Sequence, residues 1–141
     1  MTIKAVKAII LVNKNYLLQL RDRKKNISFP NHWGLFGGRI GKKEKNIIAL
    51  KREIKEETNL NVKIIRRVFN VDFDIIGLKK KRNLQYYECE IIGKKKIKLS
   101  EGKKYKFFSF QKIKKLNIVP MDFVALKSHY LHINHFISIY R

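Results

Sequence analysis

Apolar residues along this chain gather in short blocks, most of them closed by asparagine, glycine or lysine. Residues 3–12 and 16–20 are two such blocks, and Asn13-Lys14-Asn15 between them predicts a hairpin. Phe29-Pro30-Asn31-His32-Trp33 predicts a turn that leads into a short strand over 34–36. Two longer strands are expected over 62–76 and 84–92, with a lysine-rich loop between them, and another over 101–110. Residues 46–58 change to a helical period, with Asn46 as the expected N-cap. Pro120 is suited to the first turn of a last helix, expected to run to about residue 138. No repeat, linker or break in composition divides the chain, so residues 1–141 are expected to form a single domain.

The helix at 46–58 is the most informative element. At 100° per residue, Ile47, Leu50 and Ile54 fall together and are expected to face the core, while Lys51 and Lys55 face solvent. Glu53, Glu56 and Glu57 form a third sector, with Ala49 among them as a small side chain that leaves phosphates room to approach. Crowded carboxylates repel unless a cation neutralises them, and hard oxygen ligands suit Mg2+ or Mn2+. An ordinary amphipathic helix accounts for the lysines but not for acids held apart from them.

From Gly38 to Leu60 the chain reads G-x5-E-x7-R-E-I-x-E-E-x-N-L. It resembles the Nudix box of the Nudix hydrolases, with the MutT-like enzymes among them. Gly38, Glu44, Arg52, Glu53, Ile54, Glu56, Glu57 and Leu60 all match that pattern. One position departs, with Asn59 where the family has glycine. Asn tolerates a left-handed C-cap second only to Gly, so the turn is expected to survive. Lys43 stands where the family often has glycine, and Gly41 where it often has glutamate. The loop is therefore more basic than usual, which favours a highly phosphorylated substrate.

The resemblance implies an α/β Nudix fold, a mixed β-sheet sandwiched between α-helices. It implies a Mg2+-dependent hydrolase, with Mn2+ as a possible substitute, that cleaves a diphosphate linkage in a nucleoside diphosphate derivative by water attack at phosphorus. It also implies metal ligation by Gly38 (through its carbonyl), Glu53, Glu56 and Glu57, with the general base among these three glutamates. Arg52 would orient a carboxylate, and Glu44 would brace Arg52 or meet a second metal. Glu101 is the candidate for a further metal ligand from outside the box, weighed evenly against a loop charge. Arg21 and Arg23 lie where relatives contact nucleotide. Asp122 lies where one branch of the family reads an oxidised purine, although as a residue it is also an ordinary first-turn acid. Trp33 and Phe36 are placed to stack on a base or to fill the core. His129, His132 and His135 are spaced to share a metal, but no other ligand joins them and a surface role is favoured.

Charge adds one question. Lys and Arg number 33 against 11 Asp and Glu, a formal net charge of +22. Such a surface invites a nucleic-acid reading. The excess is carried by lysine, and runs such as Lys79-Lys80-Lys81-Arg82 and Lys94-Lys95-Lys96 read as solvated hairpin loops. A compositional origin is preferred to an RNA-binding one. The expected substrate is a small nucleotide, such as a modified nucleoside triphosphate. An RNA 5′ end, ADP-ribose and a nucleotide sugar are the alternatives. Cys89 is the only cysteine, so no internal disulfide can form, and a cytoplasmic monomer or homodimer is expected. The apolar run from Ala8 to Val12 is too short to span a bilayer, so no membrane partner is expected.

Overall fold

The structure, a computed structural model, describes residues 2–23, 28–75, 77, 80–94, 96–100 and 104–139, with the backbone alone at 75 and 135–139. Its elements in chain order are β1 (Thr2–Val12), β2 (Asn15–Leu20), β3 (Trp33–Gly34), β4 (Phe36–Arg39) and α1 (Asn46–Thr58). There follow β5 (Asn61–Ile75), β6 (Lys80–Ile92), β7 (Lys104–Phe108), α2 (Phe110–Ile113) and α3 (Pro120–Ile139). The strands build a mixed, seven-stranded sheet. β1 is its spine, pairing parallel with β6 and antiparallel with β4, then handing its last two residues to β2. β2 carries β3 and β7, and β5 closes the other end against β6. β4 is paired to β1 on one side, so its backbone forms an edge of the sheet.

Alternation along β1 divides the core into two layers. Val6, Ala8 and Ile10 face α1 and pack with Phe36, Ala49, Leu50 and Ile54. Ile9 faces the other way and packs with Tyr16, Leu18, Tyr86, Phe110, Ile113, Ala125 and Leu126, the last two from α3. The sheet is thus held between α1 on one face and α2 with α3 on the other. This is the α/β sandwich that the sequence predicts. No helix of the described residues is long and apolar enough to cross a membrane.

Several local expectations need correction. The strand expected over 34–36 is split at Leu35, whose N–H turns out of the ladder to a buried carboxylate described below. Lys45, not Asn46, is the N-cap of α1, and it makes no side-chain capping bond. Asn46 instead donates from Nδ2 to Gln85 Oε1 at 2.6 Å, tying the first turn to β6. Ile47 is 44% exposed and Ala49 is fully buried, the reverse of the expected packing. Gly38 on β4 presents no side chain to the helix, so α1 lies close over that strand. The helix is thereby rotated, Ala49 goes into the core and Ile47 overhangs the edge. Lys80, Lys81 and Arg82 belong to β6 instead of a loop. β7 ends at Phe108, because Ser109 accepts from Lys112 N and starts the short α2, while 101–103 lie outside the described residues.

Candidate active site

The two glycines of β4 set the site. A β-carbon on Gly38 would stand 2.3 Å from the carboxyl carbon of Glu53, and one on Gly37 would stand 2.0 Å from Val6 O. Neither contact is tolerable, so both positions require glycine. Gly38 faces α1 and leaves the space that the Glu53 carboxylate fills. Its neighbour Gly37 donates its N–H to Glu57 Oε1 at 3.1 Å.

Arg52 gathers the remaining acids. Nε reaches Glu44 Oε2 at 2.8 Å and Nη2 reaches Glu44 Oε1 at 2.9 Å, a two-pronged pair. Nη1 donates to Glu53 Oε1 at 2.9 Å and, more loosely, to Glu56 Oε2 at 3.3 Å. Gly41 N adds a bond to Glu44 Oε1 at 2.9 Å. The Arg52 bonds, helped by that N–H, hold the Glu44 carboxyl at about 2, below its ordinary 4.5. Hydrogen bonds to Glu44 and then Glu53 push the Arg52 guanidinium further up still. Glu53 is mostly covered and Glu56 is open to solvent.

Asn59 ends α1 in the left-handed conformation, at φ 64°, and its N–H bonds Lys55 O at 3.0 Å. The departure from the family glycine therefore keeps the turn, at the conformational cost of a β-carbon. Lys43 likewise adopts φ 61°, which explains why glycine suits that position.

The structure thus brings Glu44, Arg52, Glu53, Glu56, Glu57 and Gly38 together along the α1 side of β4. Among the described residues no three carboxylate, imidazole or thiol groups converge tightly enough to hold a cation in this arrangement. The donor chemistry nevertheless fits a hard divalent ion. It consists of carboxylate and carbonyl oxygens, with an acid pocket that only glycine leaves open. Glu56, exposed and loosely held by Arg52, is the side chain with freedom to turn inward. Glu101 lies outside the described residues.

The other face of β4 holds a second cluster. Asp122, fully buried in the first turn of α3, accepts from Lys7 Nζ at 2.8 and 2.9 Å. It also accepts from Tyr86 Oη at 2.7 Å and from Leu35 N at 2.9 Å. A β-carbon on Gly34 would come within 3.1 Å of Asp122 Oδ2 and 3.7 Å of Arg21 Cδ, so Arg21 passes beside this cluster. Arg21 Nε donates to Ser28 O at 2.9 Å, and Arg23 is exposed. Lys7 and Tyr86 do not stand out in a search for motifs. One signal was available: on the face shared by Ile3, Ala5, Ile9 and Leu11, Lys7 is the only charge.

Phe36 is core, and half-buried Trp33 packs edge-on against Phe108 with ring centroids 4.8 Å apart. His129 is buried in α3, where Nδ1 meets Tyr16 Oη at 2.8 Å and Nε2 meets Glu88 Oε1 at 2.5 Å. Exposed His132 is not part of that chain, and the His135 side chain lies outside the described residues. Cys89 is a buried core residue whose thiol burial pushes up to about 12, which makes it inert near neutrality.

A mixed sheet between helices, with an acid-bearing helix laid on a double-glycine edge, is the architecture of a diphosphate-cleaving hydrolase. The chain belongs to the Nudix family, whose domain model matches residues 1–127. It is accordingly a pyrophosphohydrolase, in a family that works on nucleotide derivatives and generally uses divalent ions. No curated protein matches it in sequence. Among solved structures, the MutT protein of Methanosarcina mazei Go1 is similar with a TM-score of 0.76 at 24% identity, over 93% of this chain and 95% of that one. A Nudix hydrolase from Nitrosomonas europaea gives 0.77 at 16% identity, over 94% and 90%. An Ap4A hydrolase from C. elegans, solved as a binary complex, gives 0.74 at 19%, over 94% and 98%. At these identities the likeness is one of fold.

Proposed function

We propose that the protein hydrolyses a diphosphate linkage in a small nucleotide, a modified nucleoside triphosphate foremost, in a Mg2+-dependent reaction at the α1 side of β4. The observation that carries this reading is one glycine edge on which Arg52 holds Glu53 and Glu56 while Gly37 N holds Glu57. Glu53, Glu56, Glu57 and the Gly38 carbonyl are the groups to hold the ion. A bound divalent ion would offset charge on the phosphate oxygens and acidify a coordinated water.

The protein's own residues supply the rest. Arg52 fixes the Glu53 carboxylate, and Glu44 in turn fixes Arg52, so the acids are positioned before substrate arrives. A glutamate of this set takes the proton from the attacking water as the oxygen–phosphorus bond forms. Electron density then passes to the bridging oxygen as its bond to phosphorus breaks, releasing nucleoside monophosphate and pyrophosphate from a triphosphate. Half-buried Arg21, beside the Asp122 cluster, and exposed Arg23 are the side chains assigned to the nucleotide.

The test is turnover of purified protein with Mg2+ on nucleoside triphosphates, nucleotide sugars and dinucleotides, read as phosphate or pyrophosphate release. Glu53→Gln and Glu57→Gln are each expected to lower kcat by orders of magnitude while the circular dichroism spectrum is unchanged. Full activity in both variants would remove these residues from the mechanism. Cleavage of sugars and dinucleotides with every triphosphate left intact would replace the substrate.

A further inference from the structure

Asp122 is full. A carboxylate offers about four acceptor sites, and here each oxygen already takes two donors: Lys7 and Tyr86 on Oδ1, Lys7 and Leu35 N on Oδ2. With no exposed surface and no spare lone pair, it has nothing with which to accept an amino or imino hydrogen from a ligand. Lys7 differs. Its ammonium carries three N–H groups, and Asp122 occupies two of them at most on the distances above. The side chain keeps 16% of its surface exposed, so it is not sealed from solvent.

Strand register places Gly37, Lys7, Tyr86 and Phe69 in one row across β4, β1, β6 and β5, on the face away from α1. A β-carbon on Gly37 would come within 3.0 Å of Lys7 Cγ, and its absence leaves Lys7 uncovered from the β4 side. Tyr86 packs at 6.0 Å from the half-buried ring of Phe69, an apolar ring two strands from Lys7 in the same row. The catalytic acids lie on the opposite face of the same edge strand. A ligand whose phosphates meet those acids can fold over the glycine edge and set its base against Lys7.

We infer that Lys7 is a specificity-determining residue that donates a hydrogen bond to a ring carbonyl of the nucleobase, so that the site selects oxo bases and discriminates against adenine. The inference rests on the nucleotide-hydrolase reading above. A neutral acceptor is favoured over a phosphate because Asp122 already cancels the charge of Lys7, leaving a strong donor with little net field. The order of the effect is that of one charge-assisted hydrogen bond, about tenfold or more in selectivity.

The experiment compares GTP with 2-aminopurine riboside triphosphate, which lacks the 6-oxo group, and with ATP, on the full-length protein with Mg2+. The expected kcat/KM for GTP is at least about tenfold above either of the others. Lys7→Met combined with Asp122→Asn removes donor and buried charge together, and the three values are expected to draw level. Equal use of all three by the wild type, or a preference that survives the double substitution, would overturn the inference. Binding of GMP against AMP, measured by calorimetry without metal or turnover, separates the two readings. Selective GMP binding with no triphosphate hydrolysis would uphold the role of Lys7 and sink the proposed reaction. Hydrolysis with no preference in either assay would do the opposite.

Discussion

Arg52 and Glu44 form a two-pronged ion pair, at 2.8 and 2.9 Å, between the second half of α1 and the loop that precedes it. This pair fixes the guanidinium that touches Glu53 and Glu56, so the loop acid acts on the site through Arg52. Replacing Arg52 with Lys keeps the charge but loses the planar fork. Arg52→Lys is expected to lower kcat by roughly 10- to 100-fold, with Mg2+ affinity weakened, as measured by initial rates across a metal titration. Unchanged rates would mean the carboxylates position themselves.

The same pair has a pH signature. The folded value of the Glu44 carboxyl, about 2, lies below its ordinary 4.5, so the folded state binds its proton less well than the unfolded one. The contribution to stability is therefore complete above about 4.5 and lost as pH falls from there toward 2. Denaturant melts of the wild type and Glu44→Gln should differ by a constant amount above that window, and the difference should vanish inside it. A difference that persisted to pH 2 would dissociate Glu44 from the effect.

Gly38 carries a different kind of constraint, since its β-carbon position is already taken by the Glu53 carboxyl. Gly38→Ala is expected to displace Glu53, cost about 1–3 kcal/mol of stability and reduce kcat by orders of magnitude. In a Glu53→Gln background the same substitution should lower the rate little further, because the two changes strike one contact. Additive losses in the double variant would show that Gly38 acts elsewhere.

Much of this site was legible because its parts are close in sequence. Glu53, Glu56 and Glu57 share a helix face by periodicity alone, and Arg52 and Glu44 follow from fixed spacing within the box. Asn59 was readable too, since the left-handed cap depends on one residue's backbone preference. What periodicity missed was set by partners distant in the chain. The roll of α1 that buries Ala49 and exposes Ile47 depends on Gly38, in a strand it meets only after folding. Lys7 and Asp122 are separated by 115 positions, and their bond needs β1, β6 and α3 all in place. A first-turn acid looks the same in sequence whether it faces water or, as here, three donor groups inside the fold.

Asn59 offers a test that leaves the chemistry alone. Its φ of 64° costs an asparagine more than a glycine. Asn59→Gly is expected to raise stability by several tenths to about 1 kcal/mol, and Asn59→Ala to lower it by about 1 kcal/mol. Both variants should retain wild-type kcat/KM. A loss of activity in the glycine variant would give Asn59 a role beyond the turn.

His129 joins α3 to both halves of the sheet, through Tyr16 on β2 and Glu88 on β6. Burial lowers its readiness to take a proton, and this outweighs the opposing pull of Glu88; Arg66 and His132 also disfavour the charge. The folded pKa thus lies below the ordinary 6.5, and the unfolded chain binds the proton more tightly. Stability from this group is complete above about 6.5 and declines as pH falls below it, by at most about 1.4 kcal/mol per pH unit. His129→Gln leaves Tyr16 and Glu88 short of a partner and is expected to cost about 1–3 kcal/mol at pH 8. It should also flatten the pH dependence between 6.5 and 5, a range in which Glu44 stays ionised in the folded protein. Thermal melts of both proteins across that range decide the matter: parallel curves would place the titrating group elsewhere.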